Sequence, residues 1–297
     1  MRRACLLALA WATLGLAHAD RLIEIPTGRL IYPERLTLEA GFLTGRPERE
    51  RAFVNLRIGG EAGQGIETTA TVLAQAMDVN PDFLRDVVKG INAGVAQAVA
   101  AALNQNHAFL QALLSNLTAD AGAAMAQGMN LNTEMMPALF AALDPAVAQV
   151  AAQSLDVNPN LISAVVENLD GNAGMSMAQA TNQAAANNPD FLVTLISNLS
   201  TGTAQALVQG LNQNAAQNPN FLNNLLANLN SDAGRAVGRG LNGMAVGGTS
   251  SPLYITMVNM QNHTAQVIAQ ALNNNPNALL RNLIANLDGA ALATGIN

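Results

Sequence analysis

The sequence holds a single cysteine, Cys5, and it lies within the first 20 residues. That stretch reads MRRACLLALAWATLGLAHAD: two arginines, an apolar run from Leu6 to Leu16, and the small-x-small triplet Ala17, His18, Ala19. This is the layout of a secretory signal peptide (1–19) cleaved after Ala19, and it places the chain outside the cytoplasm, secreted or in the periplasm or cell envelope. Cys5 leaves with the leader. The mature chain then has no disulfide, no thiolate metal site and no cysteine nucleophile. No later stretch approaches the ~20 uninterrupted apolar residues of a membrane span, so no transmembrane span is expected in the mature chain.

Positive charge is also scarce. Of 14 basic residues two sit in the leader, so 12 face 20 acidic ones and the mature chain carries −8. Seven of the 12 (Arg21, Arg29, Arg35, Arg46, Arg49, Arg51 and Arg57) precede residue 60. No nucleic-acid partner is expected, because phosphate neutralisation requires clustered Lys and Arg. Aromatics make up 3% and charged residues 11%, yet half of the chain is apolar. That is too hydrophobic for a disordered tail and fits a regular helical array.

Residues 20–67 form a separate segment. Alternating apolar positions (Leu36, Leu38, Ala40; Phe53, Leu56, Ile58) broken by PTG, YPE and TGRPE predict two to four short strands. GGEAGQGIE (59–67) lacks the GK[ST] ending of a phosphate loop and reads as a linker.

From 68 to 242 the chain repeats. The first large apolar residue of each copy is Phe83, Phe109, Met135, Leu161, Phe191, Phe221 or Leu279, spaced 26, 26, 26, 30, 30 and 58 residues apart. Offsets 0, +1, +4, +5 and +8 from this anchor are apolar and fall within about 140° of a helical wheel, which defines an amphipathic helix B. Asn stands three residues before the anchor in six copies (Asn80, Asn106, Asn132, Asn158, Asn188, Asn218), followed by Pro in four of them. Asn-Pro predicts the start of helix B, with the amide oxygen capping the first turn. Nine residues after the anchor, Asn92, Thr118, Asp144, Asp170, Ser200, Asn230 and Asp288 are all N-cap residues and predict a second helix, A. Four beyond each cap the side chain is small: Ala96, Gly122, Ala148, Gly174, Ala204 or Gly234. A neighbouring helix can approach closely along that line. Helices of ~12 residues are marginal alone, so the copies must stack. The fold class expected is mainly α, an α-solenoid-like array of about seven helix-hairpin repeats with a small N-terminal β segment. The period is too short for tetratricopeptide or ankyrin repeats, and their signatures are absent.

After 242 the pattern fails. Residues 243–262 read as a Gly/Ser-rich linker with a short strand at LYITMV, and 263–297 as a C-terminal helical hairpin. His107 and His263 lack metal-ligand spacing, no serine sits in a catalytic motif, and DGNAG (170–174) lacks the later carboxylates of a calcium loop. No catalytic, cofactor or metal residue is therefore assigned. The expected function is an exported, non-catalytic helical-repeat protein, a protein-binding or scaffold module of the bacterial cell envelope. The alternative is a self-assembling structural envelope or surface protein. A hydrolase using Glu134 or Glu167 would need a second carboxylate beside either, and the spacing supplies none. In NPNFLNNLLANLN (218–230) folding accounts for all but Asn220, Asn223, Asn224 and Asn228, and these outward amides are the candidate interaction surface for a protein partner or for self-association.

Overall fold

The computed structural model describes residues 36–43, 51–58 and 64–296, with side chains for 67–293. The leader, the turn-rich stretch 21–35 and the start of the 59–67 linker lie outside the described residues. The chain divides into two compact units, Met1–Ile66 and Glu67–Asn297. In the first, β1 (Leu36–Leu43) and β2 (Arg51–Ile58) pair antiparallel, Leu36 opposite Ile58 and Leu43 opposite Arg51.

The described elements of the second unit are helical, and its first helix begins within the expected linker, at Gln64, just ahead of the unit boundary. In chain order the helices are α1 (Gln64–Val79), α2 (Pro81–Gly90), α3 (Ala93–Gln105), α4 (His107–Asn116), α5 (Ala119–Asn130), α6 (Met135–Phe140), α7 (Pro145–Val157), α8 (Pro159–Glu167) and α9 (Gly171–Asn187). They continue as α10 (Pro189–Ser197), α11 (Thr201–Gln217), α12 (Asn220–Asn228), α13 (Ser231–Met244), α14 (Pro252–Asn259), α15 (Asn262–Asn273), α16 (Leu279–Ala285) and α17 (Gly289–Ile296). Odd-numbered helices up to α15, together with α17, are of the A type and even-numbered ones of the B type. No single helix among the described residues is long and apolar enough to cross a membrane.

The hairpin is not the packing unit. Each helix lies along the helix three places later, α2 on α5, α3 on α6, and so on to α14 on α17, while consecutive helices touch over much less of their length. Between α10 and α11 the chain bends by 102°, near the roughly 120° per corner that three helices per turn of a solenoid require. Two helix types on a three-helix turn make every stacked pair an A on a B. Two B helices still meet inside the core, where the Phe140 ring of α6 packs edge-on against Phe191 of α10, centroids 5.4 Å apart.

Small residues set the spacing. A Cβ added to Gly122, Gly174 or Gly234 would stand 3.0, 2.4 or 2.9 Å from the carbonyl oxygen of Leu161, Phe221 or Leu279. Each of these partners is the anchor of the helix B three places on. The opposite side of A is thinned too: a Cβ at Gly128, Gly210 or Gly240 would stand within 2.8 Å of the helix B below, against Val88, Ser163 and Ile196. Helix A is thus clamped between two B helices at backbone distance. The anchors fill the resulting core; Phe109, Leu161, Phe191, Phe221 and Leu279 are 1–3% exposed.

Two expectations for the last third need correction. LYITMV is not a strand: Pro252–Asn259 is helix α14, with Ser251 Oγ accepting from Tyr254 N and Pro252 in the first turn. A Ser-Pro start outweighs the β propensity of Tyr, Ile and Val when the site over α11 demands a helix. This helix stands in the place of a B copy, with Pro252 at the anchor position and Leu253 buried. The C-terminal hairpin is in turn three helices, α15 to α17.

Before α16 the chain passes through Ala278 at φ 55, the one non-glycine residue at positive φ among the described residues. Left-handed backbone costs an L residue about 1–2 kcal/mol, and glycine's extra freedom in the unfolded chain offsets about half of that. Ala278→Gly is expected to raise stability by about 0.5 to 1 kcal/mol by urea denaturation.

Candidate interaction surface

Two sets of asparagines are consumed by folding. The first is a ladder of one residue near the end of each A helix: Asp78, Asn104, Asn130, Asp156, Asn182, Asn212 and Asn242. Each reaches the start of the A helix four places on. Asn130 Nδ2 donates to Asn168 O at 2.9 Å and its Oδ1 accepts from Asp170 N at 2.9 Å. Asn104, Asn182, Asn212 and Asn242 repeat this two-point grip on Ala142/Asp144, Asn228/Asn230, Asn259/Gln261 and Asn286/Asp288. The side-chain amide imitates a peptide group and satisfies one C=O and one N–H of a turn that would otherwise be left unpaired.

Two rungs are aspartates, which cannot donate. Their turns carry hydroxyls instead: Asp78 accepts from Thr118 N and Oγ1, and Asp156 from Ser200 N and Thr203 Oγ1. The change from Asn to Asp is matched by donors on the facing turn.

The second set serves helix B. Asn132, Asn158, Asn188, Asn214 and Asn275 donate Nδ2 to the last carbonyls of helices a turn earlier, for example Asn158 to Leu114 O and Leu117 O at 3.0 and 2.6 Å. Carbonyls at a helix end lack the usual partner one turn on; only Val88 O and Val166 O among these also accept a cap N–H, from Ile91 and Leu169 at 3.3 Å. This corrects the Asn-Pro reading. Asn80 caps Phe83 N, and Asn132 accepts from Met135 N, but Asn106, Asn158 and Asn188 make no side-chain cap bond. The N-caps of helix A behave as expected: all seven accept from their first turn.

The four candidate residues divide accordingly. Asn224 Nδ2 bridges to Gly171 O at 2.8 Å and belongs to the α9–α12 contact. Asn228 Nδ2 turns back to Asn224 O in its own helix. The Asn220 and Asn223 side chains make no hydrogen bond among the described residues, and each lines a shallow open cleft beside α12. Asn223 faces Gln270, Asn273 and Asn274 of the α15 region across about 450 Å³. Asn220 faces Asp170, Asn172, Gln217 and Asn218 across about 390 Å³. Both clefts are lined by amides, with Asp170 the one charged residue in either.

No group of three or more His, Asp or Glu that could hold a metal ion is found among the described residues. Glu134 stands before α6 and Glu167 ends α8, on separate elements. His263 Nε2 is 2.8 Å from Ala215 O, part of the contact between α11 and α15. On exposed α2, Arg85 is held above its ordinary range by the hydrogen bond and charge of Asp86, with Asp82 adding to it. No protein family, curated protein or solved structure matches the chain.

Proposed function

We propose that the chain is an exported, non-catalytic helical-repeat protein, a protein-binding or scaffold module of the cell envelope, preceded by a small β segment. The observation that carries this reading is the pair of amide-lined clefts flanking α12, with Asp170 their one charged residue, where the Asn220 and Asn223 side chains make no hydrogen bond among the described residues. Free amides offer both a donor and an acceptor to a partner's backbone and polar side chains, and a repeat array presents them on a long rigid surface. The leader assigns the compartment. Asn220→Lys with Asn223→Lys places two charges in the clefts without touching the core. The expected result is loss of a specific partner captured by the wild-type chain from envelope extract, with the far-UV circular dichroism unchanged. Equal capture by wild type and variant would sink the assignment of this surface. The second reading, a self-assembling envelope protein, is favoured by the apolar residues left exposed at both ends of the array.

A further inference from the structure

The stacking contact of this array has two fixed parts. A small residue four beyond the cap of helix A seats the anchor of a later helix B, and the ladder residue eight positions further grips the turn that ends that helix B. Gly174 seats Phe221 while Asn182 holds Asn228 O and Asn230 N; Gly122 with Asn130, and Gly234 with Asn242, repeat the same offsets on Leu161 and Leu279. Counted along the chain, seat and rung occur eight times: Ala70/Asp78, Ala96/Asn104, Gly122/Asn130, Ala148/Asp156, Gly174/Asn182, Ala204/Asn212, Gly234/Asn242 and Ala265/Asn273.

The first seven are occupied. Ala70, Ala96, Ala148 and Ala204 are 0–1% exposed, and every rung up to Asn242 holds its turn. The eighth is empty. Ala265 and Asn273 on α15 are both exposed, and the Asn273 side chain makes no hydrogen bond among the described residues. At the other end of the array one anchor has no seat: Phe83 on α2 is 47% exposed, whereas its counterparts Phe109, Phe191 and Phe221 are at most 3% exposed. Seven and nine residues after Phe83, Gly90 and Asn92 are exposed, and the Gly90 C=O and Asn92 N–H are ungripped among the described residues. These are the offsets at which Asn168 and Asp170 follow Leu161.

We propose that the array continues from one molecule into the next, with Phe83 of a second copy of this chain seated on Ala265 and the turn Gly90–Ile91–Asn92 of that copy gripped by Asn273. Both parts of the contact match at once, on one helix and with one spacing, so the junction repeats a contact the molecule already makes seven times. Eight of the twelve large apolar residues left exposed lie in the end helices: Val72, Val79 and Phe83 at the start, Met257, Val258, Leu280, Ile284 and Leu292 at the finish. With α2 of the incoming copy over α15, its α1 falls over α14, where α17 of the first copy lies. α17 is eight residues long, and Met257 and Val258 stay 46% and 55% exposed on α14, so the sixteen-residue α1 displaces it. The contact is heterologous and leaves a free end at each side, so growth is open-ended.

This inference is independent of the partner-binding reading and is tested with purified chain alone, beginning at Asp20. Sedimentation velocity between about 1 and about 300 µM covers the range in which a micromolar Kd is read. The wild type is expected to show a weight-average mass that rises with concentration past the dimer. Ala265→Glu blocks the seat and Phe83→Glu the anchor; both sites are exposed, and circular dichroism checks that each variant is folded. Each alone is expected to remain monomeric, while their equimolar mixture stops at a dimer because each retains one intact end. Asn273→Ala is expected to weaken association at least tenfold. A wild type that stays monomeric throughout, a mixture that does not pair, or an F83E chain that still self-associates would each overturn the proposal.

Discussion

Asn132→Leu is expected to destabilise the array by about 3 to 5 kcal/mol, the largest effect of any single side-chain amide in the chain. Asn132 is 7% exposed and uses both ends of its amide. Nδ2 donates to Val88 O and Ile91 O, each at 2.7 Å, and Oδ1 accepts from Glu134 N and Met135 N, each at 3.1 Å. Leucine is close in size and supplies none of these bonds, so Ile91 O and the N–H groups of Glu134 and Met135 lose their partner together, while Val88 O keeps the 3.3 Å bond from Ile91 N. An orphaned buried group costs about 1 to 3 kcal/mol, and the three together outweigh the ~2 kcal/mol that burying leucine contributes. Asn214→Leu sets the scale. Asn214 is 0% exposed and donates to Val166 O and Leu169 O, but its Oδ1 has no partner. Removing it relieves one unsatisfied atom and orphans Leu169 O, while Val166 O keeps the 3.3 Å bond from Leu169 N, so a loss of only about 1 to 2 kcal/mol is expected. Urea denaturation of both variants checks the ranking; an Asn132→Leu chain within 1 kcal/mol of wild type would show that these amides do not hold the turns together.

The helices themselves were largely legible in the sequence, because what makes them is local. A cap residue acts on the N–H groups two and three places on, and an apolar stripe is read within a dozen residues. All seven predicted A-helix caps form their bonds, and the small positions Ala96, Gly122, Ala148, Gly174, Ala204 and Gly234 are where neighbouring backbones approach. The stacking order was not legible in the same way. The partner of each helix lies three elements on, 38 to 49 residues away for the ladder bonds, and a two-helix sequence repeat carries no mark of a three-helix turn. The destination of the asparagines was missed for the same reason. At Asn158 the oxygen could cap its own helix, yet the nitrogen goes to Leu114 and Leu117, residues that only the fold brings near. One signal was present and unused: Asn or Asp at the rung position of eight A helices, from Asp78 to Asn273, directly after a large apolar residue in seven and after Thr181 in the other. Its strictness over eight copies exceeds what a solvated face requires. The α14 copy escaped because its anchor is Pro252 and its local propensity is that of a strand. At the candidate surface, the Asn220 side chain is exposed and Asn223 half-buried, both without a hydrogen bond among the described residues, while Asn224 reaches across to α9 and Asn228 turns back to its own helix.

Gly174→Ala is expected to lower stability by about 2 to 3 kcal/mol, although the same change in an isolated helix raises it by about 1 kcal/mol. The sign is decided by what the new methyl meets. A Cβ at Gly174 would stand 2.4 Å from Phe221 O and 3.2 Å from Phe221 C, both backbone atoms of α12 that no rotamer change can move. The helices α9 and α12 must then separate, and the seat and the Asn182 grip on Asn228 O and Asn230 N open together. Overpacking of this kind costs about 1 to 3 kcal/mol, and the opened grip adds about 1 kcal/mol per lost hydrogen bond, so the clash outweighs the gain in helix propensity. Gly202→Ala is the control. It is helical and exposed, and its Cβ would meet only Ser200 Oγ, at 3.7 Å. It is expected to be neutral or to stabilise by about 0.5 kcal/mol. In a domain of this size the Gly174→Ala loss corresponds to a Tm lower by roughly 4 to 10 °C. Hydrogen exchange should place the damage in α9 and α12, since in a solenoid each turn depends on its immediate neighbours. If both glycines respond alike, helix propensity rather than the backbone-distance seat governs this array, and the spacing rule that orders the stack fails with it.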